Sequence, residues 1–259
     1  MNTNANEAKG IGKQLTADLL LRPATTVIAT VRKLTDATSQ SLLSLPAADS
    51  SNLVVLPLDE ADPSIESGSL ASRLAAASEQ GQHSHSISHI DVVIANAGAS
   101  AGYDSVLDTN PDAARSCFEV NAIGPLKLFQ ACWPLLSKSA RHDVQRRKFI
   151  LVTSSVGSIA ALEMESFPAA AYGMSKVAAN WLAKKISIEF QDEGLKVGII
   201  HPGWVKTGMG QSLADAVGVK EPPMSVGDSA KQVLDQIDKL SLDTTHGKFI
   251  SFNGQVLPW

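Results

Sequence analysis

Hydrophobic and polar positions divide the chain into two alternating kinds of segment. Short apolar runs rich in β-branched residues, typical of strands buried on both faces, are separated by longer stretches with apolar residues at helical spacing. The predicted strands are Thr26–Arg32, Leu53–Leu58, Asp91–Ala95, Lys148–Thr153, Lys196–His201 and Lys248–Phe252. The predicted helices are Gly12–Arg22, Ile65–Ser78, Asp112–Leu136, Ala169–Phe190 and Val226–Leu240. Because no linker or repeat interrupts this alternation, it predicts one doubly wound α/β domain with a parallel sheet over residues 1–259.

Composition excludes several classes of protein. The 259 residues are 44% hydrophobic and 19% charged, which is typical of a compact globular protein and excludes disorder and coiled coils. The net charge is −4 and the positive charges are scattered, so we expect neither nucleic acid nor a membrane as a partner. Two cysteines, Cys117 and Cys132, are too few for a disulfide framework. With no signal peptide or span of about 20 apolar residues, a cytoplasmic location is expected.

Two polar segments look like solvent-facing connections. Ala37–Asn52 and Ser78–Ser88 are rich in Ser, Ala and Gln, and the second contains His83 and His85, with His89 just beyond it. Imidazole is a common metal ligand, but no carboxylate or thiolate stands nearby at ligand spacing. We therefore expect a polar loop and no metal site.

The strongest candidate for chemistry is the pair Tyr172 and Lys176 near the start of a predicted helix. Four residues apart, the phenol and the ammonium project from one helix face, about 5–6 Å apart at Cβ. A cation there favours phenolate, so a tyrosine with an ordinary pKa near 10 could exchange a proton at neutral pH. The spacing alone also fits a half-buried tyrosine beside a surface lysine.

Three turns follow strands or precede a helix. Ser154 and Ser155 open a small-residue turn after the strand Lys148–Thr153, at the sheet edge where α/β proteins bind ligands. Asn96, Ala97 and Gly98 form a turn after another strand, and Gly10, Ile11 and Gly12 precede a helix whose free N–H groups could hold a pyrophosphate. Each of these segments, taken alone, is also ordinary turn chemistry.

Together and in this order, the motifs resemble those of the short-chain dehydrogenase/reductase family, a Rossmann-type fold. The match to the family's catalytic set comprises Asn121, Ser154 (with Ser155 as the alternative register), Tyr172 and Lys176. The family's N-A-G turn matches Asn96 to Gly98, and its Pro-Gly motif matches Pro202 and Gly203. Within the family, Ala171–Asn180 and Gly254–Trp259 are similar to fungal norsolorinic acid ketoreductase-like enzymes of polyketide pathways.

The resemblance implies a mechanism. Tyr172 would donate its proton to the carbonyl oxygen as hydride arrives from a nicotinamide, and Ser154 would hydrogen-bond that oxygen. Lys176 would lower the pKa of Tyr172 and hold the ribose, while Asn121 would position a water that links Lys176 to solvent. The implied enzyme is an NADPH-dependent ketoreductase of a secondary-metabolite ketone of the aromatic polyketide class, working as a homodimer or homotetramer.

The cofactor is predicted to be NADP(H). Arg32 ends the predicted strand Thr26–Arg32, which takes the second strand position of the family pattern, where a guanidinium would meet a 2′-phosphate. No acidic residue takes that place; a solvent-facing pair of Arg32 and Lys33 is the alternative. Lys9 could add a second phosphate contact, and Asp59 resembles the family's adenine-contacting aspartate. The complete predicted cofactor set is Lys9, Gly10, Ile11, Gly12, Arg32, Asp59, Asn96, Ala97, Gly98, Tyr172, Lys176, Pro202, Gly203, Val205 and Thr207.

The amino-terminal segment departs from the family pattern. The first strand is missing or truncated, and Asn6 stands where the family's phosphate loop has its first glycine. Asn tolerates positive φ, but loss of a central strand would leave backbone groups unpaired, at about 1–3 kcal/mol each. Three explanations are open: a lost first segment, a reorganised amino terminus, or a degenerate non-redox relative, such as an isomerase, a cyclase or a binding or regulatory protein. Retention of all four catalytic residues favours the reductase.

Substrate specificity is expected to come from two segments. These are the loop Trp204–Pro223 and the tail near Trp259, where Trp204, Met209 and Met224 could form an apolar lid.

Overall fold

A parallel sheet forms the centre of the protein. The computed structural model describes residues 2–3, 10–58, 72, 87–139, 146–165 and 167–259. The strands are β1 (Asn2–Thr3), β2 (Thr26–Val31), β3 (Asn52–Pro57), β4 (Val92–Ala95), β5 (Lys148–Val152), β6 (Lys196–His201) and β7 (Phe249–Ser251). Their pairing is parallel throughout, in the orders β1-β2-β3 and β4-β5-β6-β7. Because β1 also contacts β4, the two groups lie side by side.

Helices cover both faces of the sheet. They are α1 (Ile11–Leu20), α2 (Ala37–Gln40), α3 (Pro111–Phe118), α4 (Gly124–Leu136), α5 (Ala170–Glu189), α6 (Gly208–Ala216) and α7 (Val226–Lys239). Alternate residues of each strand point to opposite faces. Phe149 and Leu151 of β5 therefore pack in the cluster that contains α4 and α5, while Ile150 and Val152 pack in the cluster that contains α1 and α7. This arrangement confirms the predicted doubly wound fold.

Most predicted elements are confirmed with shifts of one or two residues at their ends. The predicted loop Ala37–Asn52 is wrong at its start, because it begins with the short helix α2. The predicted helix Asp112–Leu136 is not continuous, because a π-helical turn, Glu119–Ile123, separates α3 from α4. The predicted loop Trp204–Pro223 is also wrong in part, because it contains α6. The predicted helix Ile65–Ser78 lies outside the described residues, apart from a single helical position.

Local signals explain where several helices begin and end. Asn110 caps α3 by accepting a hydrogen bond from the Asp112 N–H, and Pro111 follows at the first helical position. Gly194, with φ +75°, takes the left-handed conformation in the turn after α5. No helix in the described ranges is long and apolar enough to cross a bilayer.

The histidine-rich segment is only partly described. His83 and His85 lie outside the described residues. The ring of His89 is within hydrogen-bond distance of the Ser88 hydroxyl (3.2 Å) and lies 3.7 Å from a carboxylate oxygen of Asp91. Within the residues that can be described, no group of three or more potential ligands is placed to hold a metal ion.

The first strand, β1, has two residues within the described part of the chain. Asn2 pairs with Ala29 and Thr3 with Thr30, so the remainder of this edge of β2 has no described strand partner. A cavity of about 610 Å³ lies next to that unpaired edge, lined by Thr26 to Ile28 of β2 and by Val92 and Ile94 of β4. We call it the β1 slot, because it lies between β2 and β4, where an extension of β1 towards the amino terminus would run.

Candidate active site

Tyr172 and Lys176 lie in the first turns of α5 and are both buried, at 9% and 2% exposure. The Lys176 Nζ stands 5.6 Å from the centroid of the Tyr172 ring and donates a hydrogen bond to the Val152 carbonyl at 3.3 Å. Val152 ends β5, so the ammonium is held where the carboxyl end of the sheet meets α5. The predicted pairing of phenol and cation is therefore present, and burial excludes a surface lysine.

Asn121 lies in the π-helical turn and is 1% exposed. Its Oδ1 accepts a hydrogen bond from the Ala99 N–H, and its Nδ2 donates to the Ala99 carbonyl and to the Ser175 hydroxyl, each at 2.8 Å. Ser175 in turn donates to the Tyr172 carbonyl at 2.7 Å. Asn121 thus ties the loop after β4 to the turn of α5 that carries the tyrosine. π-helical turns are frequent at functional sites.

The two candidate serines have different surroundings. The Ser154 hydroxyl accepts a hydrogen bond from the Val156 N–H at 3.3 Å, which leaves its proton available to a ligand. The Ser155 N–H donates to Nδ1 of His201 at 3.1 Å. Both serines border the same cavity as Tyr172. The geometry agrees with Ser154 as the residue that faces a carbonyl oxygen.

Gly157 allows this serine turn to lie directly against α5. A Cβ at this position would stand 2.9 Å from the Lys176 Cβ and 3.0 Å from its backbone carbon, distances that side chains do not tolerate. The Gly157 carbonyl accepts a hydrogen bond from Nδ2 of Asn180 at 3.1 Å, and the Asn180 Oδ1 accepts from the Thr153 hydroxyl at 2.6 Å. These contacts fix the serine turn relative to the tyrosine.

A cavity of about 330 Å³ opens in front of the tyrosine. Its apolar walls include Ile11, Phe167, Trp204, Met209 and Leu213, and its polar groups include Tyr103, Ser154, Glu165 and Tyr172. Trp204 and Met209 therefore stand where the sequence placed an apolar lid. Met224 instead lies behind the loop, 2.8 Å from the position of a Cβ on Gly203. Trp259 packs against Phe249, with ring centroids 5.6 Å apart.

The segment after β6 forms one side of this cavity. Gly203 has φ +88°, a conformation that favours glycine, and Pro202 accepts a hydrogen bond from Ser229 at 2.7 Å. Val205 is buried and forms a parallel bridge with Met224. Thr207 caps α6 by accepting a hydrogen bond from the Gly210 N–H at 3.0 Å. All four predicted residues, Pro202, Gly203, Val205 and Thr207, line the cavity.

The amino-terminal end of α1 reaches the same site. Gly10 is its N-cap and supplies no side-chain cap, and among the described residues no side chain is assigned to cap the first N–H groups of the helix. Ile11 lines the cavity and Gly12 is buried. Arg32 directly follows β2 and is exposed, as is Lys33.

The loop after β4 carries three more of the predicted cofactor residues. Asn96 and Ala97 are buried, and a Cβ on Gly98 would stand 3.5 Å from Nζ of Lys176. This loop therefore passes close to the Lys176 ammonium. The remaining predicted cofactor residues, Lys9 and Asp59, lie outside the described residues, as does Asn6.

Sequence reasoning missed three titratable residues that border the cavity: Tyr103, Glu165 and His201. Tyr103 donates a hydrogen bond to the Met209 carbonyl at 3.2 Å, and burial raises the pKa of its phenol. Glu165 lies between the serine turn and Tyr172 in the chain, and that position was the available signal for it. His201 ends a strand next to the Pro-Gly motif, which was the corresponding signal.

The sequence profile of the short chain dehydrogenase family matches residues 6–218. The chain belongs to this family. The norsolorinic acid ketoreductase nor1 of Dothistroma septosporum is 36% identical over 257 residues, covering 97% of this chain and 90% of the relative. The norsolorinic acid ketoreductase of Aspergillus parasiticus is 32% identical over 254 residues, covering 97% and 88%. The NADPH-bound carbonyl reductase from chicken fatty liver superposes with a TM-score of 0.81 at 28% identity, covering 100% and 98% of the two chains.

His201 gives this short-chain dehydrogenase a testable pH dependence of stability. Burial lowers the pKa of its imidazole from 6.5 to about 4, so the folded protein holds the ring neutral. The unfolded chain takes up this proton below about pH 6.5, so the free energy of unfolding falls as the pH decreases towards 4. Between pH 6.5 and about pH 5 the loss from His201 is on the order of 2 kcal/mol.

The substitution His201→Asn keeps an acceptor for the Ser155 N–H and removes the titration. We expect the urea-derived free energy of unfolding to become less dependent on pH between about 7.5 and 5. Burial also lowers the pKa of His246, so part of the slope will remain. An unchanged slope in the variant would show that His201 is not held neutral by the fold.

Proposed function

We propose that this protein is an NADPH-dependent ketoreductase that reduces a secondary-metabolite ketone of the aromatic polyketide class. The observation that carries the proposal is the convergence of Ser154 and Tyr172 on one cavity, with the Lys176 ammonium held 5.6 Å from the phenol ring. Family membership supports an oxidoreductase, and the names of the fungal relatives support a ketoreductase.

The described residues fit a nicotinamide dinucleotide. The uncapped start of α1, with Gly10 and Gly12, suits a pyrophosphate. Gly98 leaves room for a ligand group beside the Lys176 ammonium, and Arg32 offers an exposed guanidinium at the carboxyl end of β2. When bound, the reduced cofactor supplies a hydride to the carbonyl carbon; together with one proton delivered to the oxygen, this converts a ketone to an alcohol.

The protein's own residues would handle the proton and orient the substrate. Ser154 donates its free hydroxyl proton as a hydrogen bond to the carbonyl oxygen and so fixes its position. The Tyr172 phenol transfers its proton to the same oxygen as negative charge develops there. The Lys176 ammonium favours the resulting phenolate and offers its other hydrogens to the cofactor ribose.

Asn121 is proposed to hold a water that relays a proton from solvent to Lys176. Both of its amide hydrogens are engaged by Ala99 and Ser175, so such a water would have to donate to its Oδ1 or to its backbone carbonyl. Asn121 is then a positioning residue as well as a proton-relay residue, because the same contacts hold the loop after β4.

An oligomer is proposed through the helices that contain Asp112–Leu136 and Ala169–Phe190. Support comes from large apolar side chains that these helices leave exposed, among them Trp181 at 67% and Ile188 at 62% exposure. A homodimer or homotetramer would cover them.

Arg32 provides a test of cofactor choice. The change Arg32→Ala is expected to raise the Kd for NADPH about 10–100-fold, because it removes charge-assisted hydrogen bonds to the 2′-phosphate worth about 1.5–3 kcal/mol. The Kd for NADH, which lacks that phosphate, should stay the same. Titration followed by nicotinamide fluorescence measures both values.

Lys33→Ala is the matched control, since Lys33 is the next residue and equally exposed. It should affect NADPH binding less than Arg32→Ala does. Equal weakening of NADPH and NADH in the Arg32 variant would contradict the assignment.

The function itself is tested with the purified chain, NADPH and a panel of aromatic ketones. Ketone-dependent oxidation of NADPH, lost in Tyr172→Phe, would support the ketoreductase. A folded protein that binds neither NADPH nor NADH would overturn it and favour a non-redox role.

A further inference from the structure

We propose that Glu165 selects substrates that carry a hydroxyl group in addition to the ketone. This inference rests on the proposed function and deepens it, because it assigns a second recognition point in the same cavity. Ser154 and Tyr172 would meet the carbonyl oxygen, and the Glu165 carboxyl group would accept a hydrogen bond from the substrate hydroxyl.

The Glu165 side chain has an unusual position. Its Oε2 is buried and has no hydrogen-bond partner within the described residues, although the residue borders the cavity. Both backbone polar groups of Glu165 are hydrogen-bonded, because its N–H donates to the Ala161 carbonyl and its carbonyl accepts from the Phe167 N–H, each at 2.9 Å. A buried acceptor without a donor is costly and uncommon in native proteins.

The neighbouring polar groups on the cavity wall are engaged elsewhere. The Trp204 indole N–H donates to the Gly210 carbonyl at 3.0 Å, and the Tyr103 hydroxyl donates to the Met209 carbonyl at 3.2 Å. The Phe167 and Trp204 rings, with centroids 6.3 Å apart, make this part of the wall aromatic. An aromatic ligand that also carries an O–H donor therefore matches both the wall and the unsatisfied oxygen.

The comparison that isolates this contact is between a phenol and its methyl ether. Methylation keeps the aromatic ring and the oxygen but removes the donor proton, so Glu165 would face an acceptor instead of a donor. Sites that hydrogen-bond a substrate hydroxyl reject analogues without it, because a buried polar group is then left unpaired. Since one carboxylate oxygen accounts for the effect here, we expect a preference of about 10–100-fold.

The experiment uses hydroxy-1-tetralones with the hydroxyl at each position of the aromatic ring, together with their methyl ethers. For each pair, kcat/KM with NADPH is measured in the wild type and in Glu165→Gln and Glu165→Leu. We expect at least one hydroxy ketone to exceed its ether by about 10–100-fold in the wild type. Glu165→Gln, which retains an oxygen acceptor, should keep part of the preference, and Glu165→Leu should abolish it.

Glu163→Gln is the matched control, because Glu163 lies in the same turn but is exposed and does not border the cavity. It should keep the wild-type preference. A preference that survives Glu165→Leu, or equal activity of the wild type on every phenol and its ether, would overturn the proposal. An equal loss on both members of a pair in Glu165→Leu would show a structural role only.

A binding measurement separates this proposal from the proposed function. Because Trp204 borders the cavity, quenching of tryptophan fluorescence can report the Kd of each ketone without turnover. A preference in binding that depends on Glu165, with no ketone reduced, would support the Glu165 contact and overturn the ketoreductase. Reduction of the ketones with no preference for the hydroxy compounds would support the ketoreductase and overturn the Glu165 contact. The absence of both reduction and preference would overturn both proposals.

Discussion

Replacing Tyr172 with Phe is expected to lower kcat for ketone reduction by about 10²–10⁴-fold, the usual contribution of a positioned general acid. The ring is buried in α5 and the substitution removes one oxygen atom, so the fold should be unchanged. Affinity for NADPH should change much less than kcat, because Tyr172 is only one of many predicted cofactor contacts and the substitution keeps its ring. Steady-state rates with an aromatic ketone and a separate NADPH titration distinguish the two.

Tyr103→Phe is the matched control, since Tyr103 is the other tyrosine of the chain and borders the same cavity. It loses one hydrogen bond to the Met209 carbonyl, worth about 1 kcal/mol, so activity should fall less than about tenfold. If Tyr103→Phe abolished turnover and Tyr172→Phe did not, the proton donor would have to be reassigned.

Extending β1 so that it fills the β1 slot is expected to raise the Tm of the protein. If the register of β1 were continued, the three positions before Asn2 would stand opposite Ile28, Val27 and Thr26. A Val-Ile-Val-Ile segment placed directly ahead of Asn2, with the initiator methionine before it, would put three of its residues opposite these positions and bury their side chains. Apolar burial and new hydrogen bonds, offset by about 1–2 kcal/mol of ordering entropy per residue, leave a net gain of roughly 2–4 kcal/mol.

For a chain of this size, that gain corresponds to an increase in Tm of roughly 5–15 °C, measurable by differential scanning calorimetry. An added Ser-Asp-Gly-Asp segment is the control, because it has the same length and cannot be buried without cost. Equal values of Tm for the two extended chains would show that the slot does not accept a strand.

The sheet and the placement of Tyr172 beside Lys176 could be predicted from sequence because their signals are local. Runs such as Lys148–Val152 combine β-branched and apolar residues, and a spacing of four places Tyr172 and Lys176 on one helix face. The sequence favours Ser154 over Ser155 as the candidate serine, and the structure adds the hydrogen bond from the Ser155 N–H to Nδ1 of His201.

Other features depend on contacts between distant parts of the chain. The helix α6 follows a capping threonine, Thr207, but the glycines at 208 and 210 give it a weak helical signal in the sequence. Glu165 is a candidate recognition residue because its Oε2 is buried without a partner among the described residues and the residue borders a cavity whose walls come from several elements. No periodicity in the sequence contains that information.

The π-helical turn Glu119–Ile123 also sets the phase between two helices. Deleting one residue from it would allow an uninterrupted α-helix, but each residue of an α-helix turns the chain by about 100°. The whole of α3 would then be rotated relative to α4, and Asn121 could no longer face Ala99 and Ser175 together. The length of this turn therefore fixes the rotation of α3 relative to α4. That length is as constrained as the identity of its asparagine.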